Sequence, residues 1–240
     1  MNAPSLLLAL ESALRTPGVA LLRDGELVAE ITLPATQPVS EQLLPGIDHL
    51  LALCGSALDA VDAFAVSIGP GSFTGLRVGV ATVKGLAFGG AQPVAAVSTL
   101  AALACAAGSP GDVVAAVLDA RRGEVYAGVY ELTQAEPSLK LADGLYTVPD
   151  LTARLPRSCV LVGDGALLYA EAFAAALGAG ARILPEALAR PRAFQVGRLG
   201  HALLAAGAGI GAEALCPRYL RRAEAEARRT GERLETAPPF

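Results

Sequence analysis

The sequence predicts an α/β protein of two lobes, each a mixed sheet flanked by helices. With 240 residues, the chain is long enough for two compact domains. Short apolar runs typical of strands alternate with longer runs that repeat apolar residues at helical spacing. The order β-β-β-α-β-α occurs within residues 5–107 and again from residue 113, although the two copies share no sequence similarity. A stretch rich in Gly and Pro at residues 108–111 therefore marks the predicted boundary between the lobes.

The first copy opens with three predicted strands, at residues 5–10, 19–23 and 26–33. Asp24 and Gly25 separate the last two strands and form a two-residue hairpin signal. The chain is therefore expected to begin with an antiparallel meander.

A helix is predicted over residues 40–54, with Ser40 as its N-terminal cap. Pro45 fits this helix only within the first turns, where its missing N–H is not needed. One face of the helix is apolar and consists of Leu43, Leu44, Ile47, Leu50 and Leu51.

Two strand–helix pairs complete the first copy. A buried strand at residues 64–68 leads through a glycine-rich loop into a helix over residues 76–88. A strand at residues 93–97 then leads into a helix that Ser98 caps.

The second copy follows the same order. Its predicted elements are strands at 113–118, 124–132 and 139–148, a strand at 159–162, a helix at 166–177, a strand at 181–184 and a helix at 193–206. The third of these strands is expected to fold around a turn at Asp143-Gly144.

These elements predict three segments. Residues 1–107 form an N-terminal lobe, residues 108–214 form a reduced second lobe, and residues 215–240 form a C-terminal helix or tail that packs back on the first lobe.

Composition and charge exclude several classes of protein. Hydrophobic residues make up 53% of the chain, yet no run approaches the ~20 apolar residues of a membrane span. The N-terminus lacks the basic segment of a signal peptide, so we expect a cytoplasmic protein that binds no membrane. Four cysteines lie far apart, which favours isolated thiols over a zinc site. A net charge of −4 provides no general attraction for nucleic acid. In the Arg-rich stretch 217–235, arginines alternate with glutamates, which is typical of a solvated helix face more often than of a binding patch.

The loop between the strand at 64–68 and the next helix is a candidate anion site. Backbone N–H groups at a helix N-terminus favour anions, and the candidate residues here are Gly69, Gly71, Ser72, Thr74 and Gly75. The loop matches neither the Walker A pattern nor the dinucleotide fingerprint. Ser72 or Thr74 serves equally well as an ordinary helix cap.

The helix after the loop also suits close packing. Gly75 and Gly79 are four residues apart and share one face, which lets a neighbouring element approach closely. Leu76, Val80 and Val83 form an apolar stripe beside them. From the residues alone, close packing and phosphate contact are equally favoured as the role of this loop and helix.

Four stretches resemble the bacterial TsaB family. They are GPGSFTGLRVG at 69–79, VSTLAALA at 97–104, LDARRGEVYAGVY at 118–130 and PRYLR at 217–221. They span most of the chain in the family's order. Through the family's catalytic relative TsaD, the resemblance implies two ribonuclease-H-like lobes of the actin-like ATPase (ASKHA) superfamily.

The resemblance also implies a function. TsaB is a non-catalytic partner of TsaD, and the ATPase TsaE joins them in transferring threonylcarbamoyl to adenosine 37 of tRNAs that read ANN codons. We therefore expect contact with tRNA only through the complex, no cofactor, and a homodimer when TsaD is absent. The expected interface uses the helices at 40–54 and 75–88, through Leu43, Leu44, Ile47, Leu51, Gly75, Leu76, Gly79, Val80 and Val83.

The metal ligands of TsaD have no counterpart in this sequence. Where TsaD carries an Asn-His-x-x-Ala-His motif, this chain has Thr99 and Leu103 at the ligand positions, and neither side chain binds a metal as imidazole does. The histidines, His49 and His201, are far apart in sequence. The resemblance therefore predicts no metal site.

An ATPase or small-molecule kinase of the same superfamily is the alternative function. It requires an acidic residue at the end of the first strand, which Glu11 supplies, and glycines in a second phosphate hairpin. That hairpin instead has Arg121 and Arg122 before its glycine, which does not suit a backbone cradle. Asp119, Arg121, Arg122 and Glu124 are interpreted as a polar network or, alternatively, as a partner contact.

Proteolysis and a homodimer that serves a different partner are two less specific hypotheses. Proteolysis lacks a metal pair, a serine–histidine pair and a cysteine–histidine pair in this sequence. The homodimer with a different partner stays open. Glu11 and Ser40 also depart from the family, which commonly has aspartate and histidine-serine at the corresponding positions.

Overall fold

A computed structural model describes residues 4–134, 136–185, 187 and 192–221. Within these ranges the chain divides into two compact units. Residues 4–102 and 192–217 form the first unit, and residues 103–187 and 218–221 form the second.

The sheet of the first unit has the strand order β3-β2-β1-β4-β5. The strands are β1 (Leu6–Glu11), β2 (Gly18–Arg23), β3 (Glu26–Thr32), β4 (Ala63–Gly69) and β5 (Val94–Ser98). β1, β2 and β3 pair antiparallel, whereas β1, β4 and β5 pair parallel. The helices of this unit are α1 (Val39–Leu53), α2 (Phe73–Leu86), α7 (Ala193–Ala205) and the start of α3 (Thr99–Ala107), with a 3₁₀ turn at Leu58–Ala60.

Helices cover both faces of this sheet, and the residues on the two faces differ in size. Leu8 and Val66 belong to the apolar core that also contains the inward side chains of α1 and α2. The opposite face presents small residues such as Ala9 and Ala65, against which α7 packs closely through Gly197 and Gly200. A Cβ at Gly200 would lie 2.4 Å from the Cβ of Ala65, so this approach requires glycine.

The position of α7 differs from the predicted division of the chain. The prediction places residues 193–206 in the second lobe of 108–214, but α7 packs on β1, β2, β4 and β5 of the first unit. The predicted boundary at 107 also differs, because the division falls within α3.

The segment after α7 continues along the first unit. Ile210 bridges Val94 of β5, and Leu215 is buried in the first core. The rest of the predicted tail, residues 222–240, lies outside the described residues.

The sheet of the second unit has the equivalent order β8-β7-β6-β9-β10. Its strands are β6 (Val113–Asp119), β7 (Glu124–Glu131), β8 (Ser138–Thr147), β9 (Cys159–Val162) and β10 (Ala181–Ile183). Its helices include α4 (Val148–Thr152), α5 (Asp164–Leu168) and α6 (Ala170–Leu177), and a 3₁₀ turn lies at Gly178–Gly180. β6, β7 and β8 again pair antiparallel, whereas β6, β9 and β10 pair parallel. Two sheets of one topology confirm the predicted α/β fold of two ribonuclease-H-like lobes of the actin-like type.

Two local predictions are confirmed. Asp24 and Gly25 both have positive φ, as a tight hairpin turn requires. The Ser98 hydroxyl accepts the Ala101 N–H at 3.2 Å at the start of α3. Across the described residues, none of the helices is long and apolar enough to cross a membrane.

Three local predictions are wrong. α1 begins before Ser40, and that side chain makes no capping bond. Pro45, by contrast, lies early in α1, in its second turn. Asp143 and Gly144 lie within β8 at a bulge, where Asp143 accepts a hydrogen bond from the Tyr130 hydroxyl, so they form no turn. The helix predicted over 166–177 is two helices, which meet at Tyr169.

Candidate functional site

The glycine-rich loop runs from the end of β4 to α2. Ser72 caps α2, because its Oγ accepts the Gly75 N–H at 3.2 Å. The Ser72 N–H donates to the Ala13 carbonyl at 2.7 Å. Two N–H groups of the candidate anion site are thus already paired within the chain. Binding of an anion by Gly69, Gly71, Ser72, Thr74 and Gly75 stays a prediction.

The glycines of this segment hold α2 against the residues that follow β1. A Cβ at Gly71 would lie 2.5 Å from the Ala13 carbonyl oxygen, and a Cβ at Gly75 would lie 2.0 Å from that of Ser12. A Cβ at Gly79 would lie 2.1 Å from the Ser12 Oγ. Any larger residue would therefore force the two segments apart, so these glycines serve packing within the chain.

The predicted partner residues mostly face this same interior. Eight of the nine are buried in the first unit, where the apolar stripes of α1 and α2 cover the sheet; these are Leu43, Ile47, Leu51, Gly75, Leu76, Gly79, Val80 and Val83. Only Leu44 of the set is exposed, at 50%. This differs from the predicted role, because side chains that hold the helices to their own sheet present no surface to a partner.

The outward sides of the two helices carry exposed polar residues such as Asp48, His49 and Arg77 and, beside them, a different set of small and apolar residues. We call this second set the outer surface of α1 and α2; it consists of Leu44, Leu53, Ala81 and Gly85, with Phe88 directly after α2. A Cβ at Gly85 would meet nothing within 4 Å, and Phe88 is 90% exposed. Ala81 and Gly85 were not among the predicted interface residues, although they are four residues apart, as Gly75 and Gly79 are.

Beside the loop, buried polar side chains lie at the ends of three neighbouring parallel strands. Glu11 ends β1, Ser67 lies near the end of β4, and Thr99 follows β5; all three are fully buried. Glu11 Oε1 accepts the Ala13 N–H at 2.7 Å, while Glu11 Oε2 and the hydroxyls of Ser12 and Thr99 have no hydrogen-bond partner among the described residues. This cluster is polar but closed to solvent.

Burial governs the charge of Glu11. Desolvation raises the pKa of its carboxyl from 4.5 to about 7, and hydrogen bonds to the Ala13 backbone and the Ser67 side chain offset part of that rise. The folded chain therefore holds this proton to a higher pH than an exposed glutamate does.

The turn after β6 contains the four residues of the predicted polar network. Arg121 Nε lies 3.4 Å from Asp119 Oδ2. Glu124 pairs with Arg221, which also donates from Nη1 to the Ala120 carbonyl at 2.6 Å. The role of Arg221 in this network was not predicted, because nothing in a sequence places residue 221 beside residue 124.

The two residues that the resemblance aligns with metal ligands of TsaD are enclosed in the fold. Thr99 and Leu103 are fully buried on α3. His49 lies on the exposed side of α1 and His201 on α7. Over the ranges that the structure describes, no group of three or more His, Cys, Asp or Glu side chains is placed to hold a metal ion.

Comparison with known proteins identifies relatives along nearly the whole chain. The family model for TsaD, tRNA N6-adenosine threonylcarbamoyltransferase, matches residues 33–229. The TsaB tRNA threonylcarbamoyladenosine biosynthesis protein of Bacillus subtilis is 33% identical over 229 residues, covering 92% of this chain and 96% of its own. The protein of the same name from Haemophilus influenzae is 45% identical over 122 residues, or 50% of this chain and 51% of its own.

A solved structure shows the same fold. YeaZ from Pseudomonas aeruginosa superposes with a TM-score of 0.76 at 34% identity, covering 90% of this chain and all of that one. A second Pseudomonas aeruginosa structure, described as an uncharacterized protein with similarity to peptidase YeaZ, has a TM-score of 0.77 at 36% identity, with the same coverage. Sequence and structure agree over both units, and the chain therefore belongs to the TsaB family.

Proposed function

We propose that this protein is the non-catalytic scaffold subunit that binds TsaD, together with TsaE, for transfer of threonylcarbamoyl to adenosine 37 of tRNAs that read ANN codons. It works in the cytoplasm and meets tRNA only through the complex. The observation that carries the proposal is the outer surface of α1 and α2, which is small and apolar, lies on one layer of the first unit and is left exposed by the described residues of that unit.

Gly85 supports a docking role for this surface. Glycine within a helix costs about 1 kcal/mol relative to alanine, and nothing within the described chain packs close enough to Gly85 to offset that cost. Close approach of a helix from another protein would do so. The ring of Phe88, which is 90% exposed directly after α2, would be buried in the same contact.

Two features support a role without catalysis. The positions that carry metal-binding histidines in TsaD are occupied by Thr99 and Leu103, both enclosed in the fold. The hairpin that cradles phosphates in nucleotide-hydrolysing relatives has Arg121 and Arg122 at its tip, where a backbone cradle needs glycines.

We also expect a homodimer when TsaD is absent. An apolar helix face that meets a similar helix of TsaD can meet its own copy about a two-fold axis. We therefore expect the homodimer and the TsaD heterodimer to compete for the outer surface of α1 and α2.

The proposal is tested by pairing and by reconstitution. Ala81→Arg and Gly85→Arg place a long charged side chain on the outer surface, where open space lets the variants fold. Ala175→Arg, on the exposed side of α6 in the second unit, is the matched control. Sizing chromatography with the cognate TsaD is expected to show loss of the heterodimer for the first two variants alone.

The second measurement is modification of tRNA by TsaD and its other partners, with and without this chain. We expect modification to depend on the chain and to fall with the pairing-defective variants. Full modification without it refutes the scaffold role, and magnesium-ATP turnover by the isolated chain favours the ATPase or kinase function instead.

A further inference from the structure

The turn between β6 and β7 holds two arginines in a backbone conformation that arginine rarely adopts. Arg121 and Arg122 have φ of 66° and 58°, and Gly123 follows at 78°. Left-handed backbone is unfavourable for any residue with a Cβ, and glycine or asparagine would close such a turn at lower cost. The turn itself therefore does not explain why arginines stand there.

The base of this hairpin is braced from two sides. Arg221 donates from Nη1 to the Ala120 carbonyl at 2.6 Å and from Nη2 to Glu124 Oε2. On the other side, Asp164 Oδ1 accepts the Asp119 N–H at 3.0 Å. The hairpin tip, defined as residues 121–123, is therefore carried on a rigid base.

The tip itself projects into solvent. All three of its residues are exposed, and the Arg121 side chain is 86% exposed. Its ion pair with the mostly buried Asp119 carboxylate, at 3.4 Å, engages only Nε, and the guanidinium carries further N–H donors on its two Nη atoms. The Arg121 guanidinium is thus available to a partner without unfolding the turn.

We infer that the hairpin tip is a second docking point, at which Arg121 and Arg122 contact carboxylates on an acidic recess of a partner protein. A guanidinium binds a carboxylate through two parallel N–H bonds, which makes arginine a frequent anchor of protein interfaces. A tip on a rigid base loses little conformational freedom when it binds.

Local charge favours a protein partner over RNA. Among the described residues in and beside the turn, three arginines are balanced by three carboxylates: Arg121, Arg122, Arg221, Asp119, Glu124 and Asp164. A balanced cluster does not attract a polyanion from a distance, whereas binding to RNA depends mainly on such attraction. Contact with individual carboxylates needs only the exposed guanidinium groups.

The inference rests on the proposed function for the choice of probes, and its test separates the two. The full chain and an Arg121→Ala/Arg122→Ala double variant are titrated against the cognate TsaD, against TsaE and against both together. Arg154→Ala/Arg157→Ala is the control, because it removes the same charge from exposed arginines of the same unit. We expect the double variant to raise Kd for at least one protein by about tenfold or more, with a weaker dependence on salt, and the control to stay within about twofold.

Three results would overturn the inference. Binding of the double variant within about twofold of the wild type, with both proteins, removes the docking point while the proposed function stands. Absence of wild-type binding to both proteins removes the proposed function and the docking point together. If the double variant loses binding to tRNA while its binding to both proteins is unchanged, the hairpin tip contacts nucleic acid and not an acidic recess of a protein.

Arg221 is a positioning residue, which affects partner binding only by holding the hairpin tip in place. Arg221→Ala is expected to speed hydrogen exchange at residues 120–124 and to weaken partner binding. Adding Arg121→Ala and Arg122→Ala to it should then weaken binding by less than they do in the wild type. Fully additive losses of binding would show that Arg221 does not act by holding the tip. Arg221→Lys retains a donor, and it distinguishes this outcome from loss of the fold.

Discussion

Replacing Glu11 by glutamine is predicted to change how the stability of the first unit depends on pH. The carboxyl is fully buried, and its pKa rises from 4.5 to about 7 on folding because burial penalises the charged form. The folded state therefore holds this proton more tightly than the unfolded state does. The contribution to stability is complete below pH 4.5 and is lost as pH rises to about 7.

The size of the effect follows from the pKa difference. One pKa unit corresponds to about 1.4 kcal/mol, so the rise from 4.5 to about 7 makes the folded state about 3 kcal/mol less stable at pH 8 than at pH 4. Glutamine retains the oxygen that accepts the Ala13 N–H and cannot ionise. The unfolding free energy of Glu11→Gln minus that of the wild type should therefore increase by about 3 kcal/mol over this pH range.

Urea unfolding between pH 4 and pH 8.5 measures this difference. Hydrogen exchange of β1 amides identifies the transition of the first unit if the two units unfold separately. Glu26→Gln removes an exposed carboxylate from β3 and is the control, for which the difference from the wild type should stay flat. A flat difference for Glu11→Gln as well would refute the argument that Glu11 is buried without a compensating charge.

Three further predictions concern stability and are checked by urea or thermal unfolding. Gly75→Ala places a Cβ 2.0 Å from the Ser12 carbonyl oxygen and should destabilise the first unit by about 2 kcal/mol or more. Gly85→Ala places its Cβ in open space and should stabilise the unit by about 1 kcal/mol. The reverse order of stability would contradict the packing described for α2. Ser72→Ala removes the cap of α2 and should cost about 1 kcal/mol; an unchanged unfolding midpoint would show that the cap is not needed. Asp143→Ala removes the carboxylate that the Tyr130 hydroxyl and the Arg218 guanidinium share, so the second unit should lose about 2 kcal/mol; a loss below about 0.5 kcal/mol would contradict it.

Element order was predictable because it depends on local patterns. Strand runs, the turn at Asp24-Gly25 and the cap at Ser98 are read from neighbours in sequence, and the structure confirms all three. The prediction of a turn at Asp143-Gly144 was wrong because the same dipeptide also suits a bulge. Only the pairing of β8 with β7 decides between a turn and a bulge.

Long-range assignments were not predictable in the same way. α7 follows the second copy in sequence, but its glycines fit the alanine-rich face of the first sheet, which no local pattern reveals. The same holds for Arg221, which braces a hairpin about 100 residues earlier in the chain. Both depend on complementarity between distant segments, a property of the folded chain alone.

The candidate site shows what a glycine in a helix does and does not predict. Gly75, Gly79 and Gly85 carry the same propensity cost, so each indicates that some neighbouring segment must come close. For Gly75 and Gly79 that segment contains Ser12 of the same chain, and the cost is offset within the fold. For Gly85 nothing within the described chain plays that part. The exposed glycine, and not the pair that first draws attention, is therefore the one whose spacing argues for a partner helix.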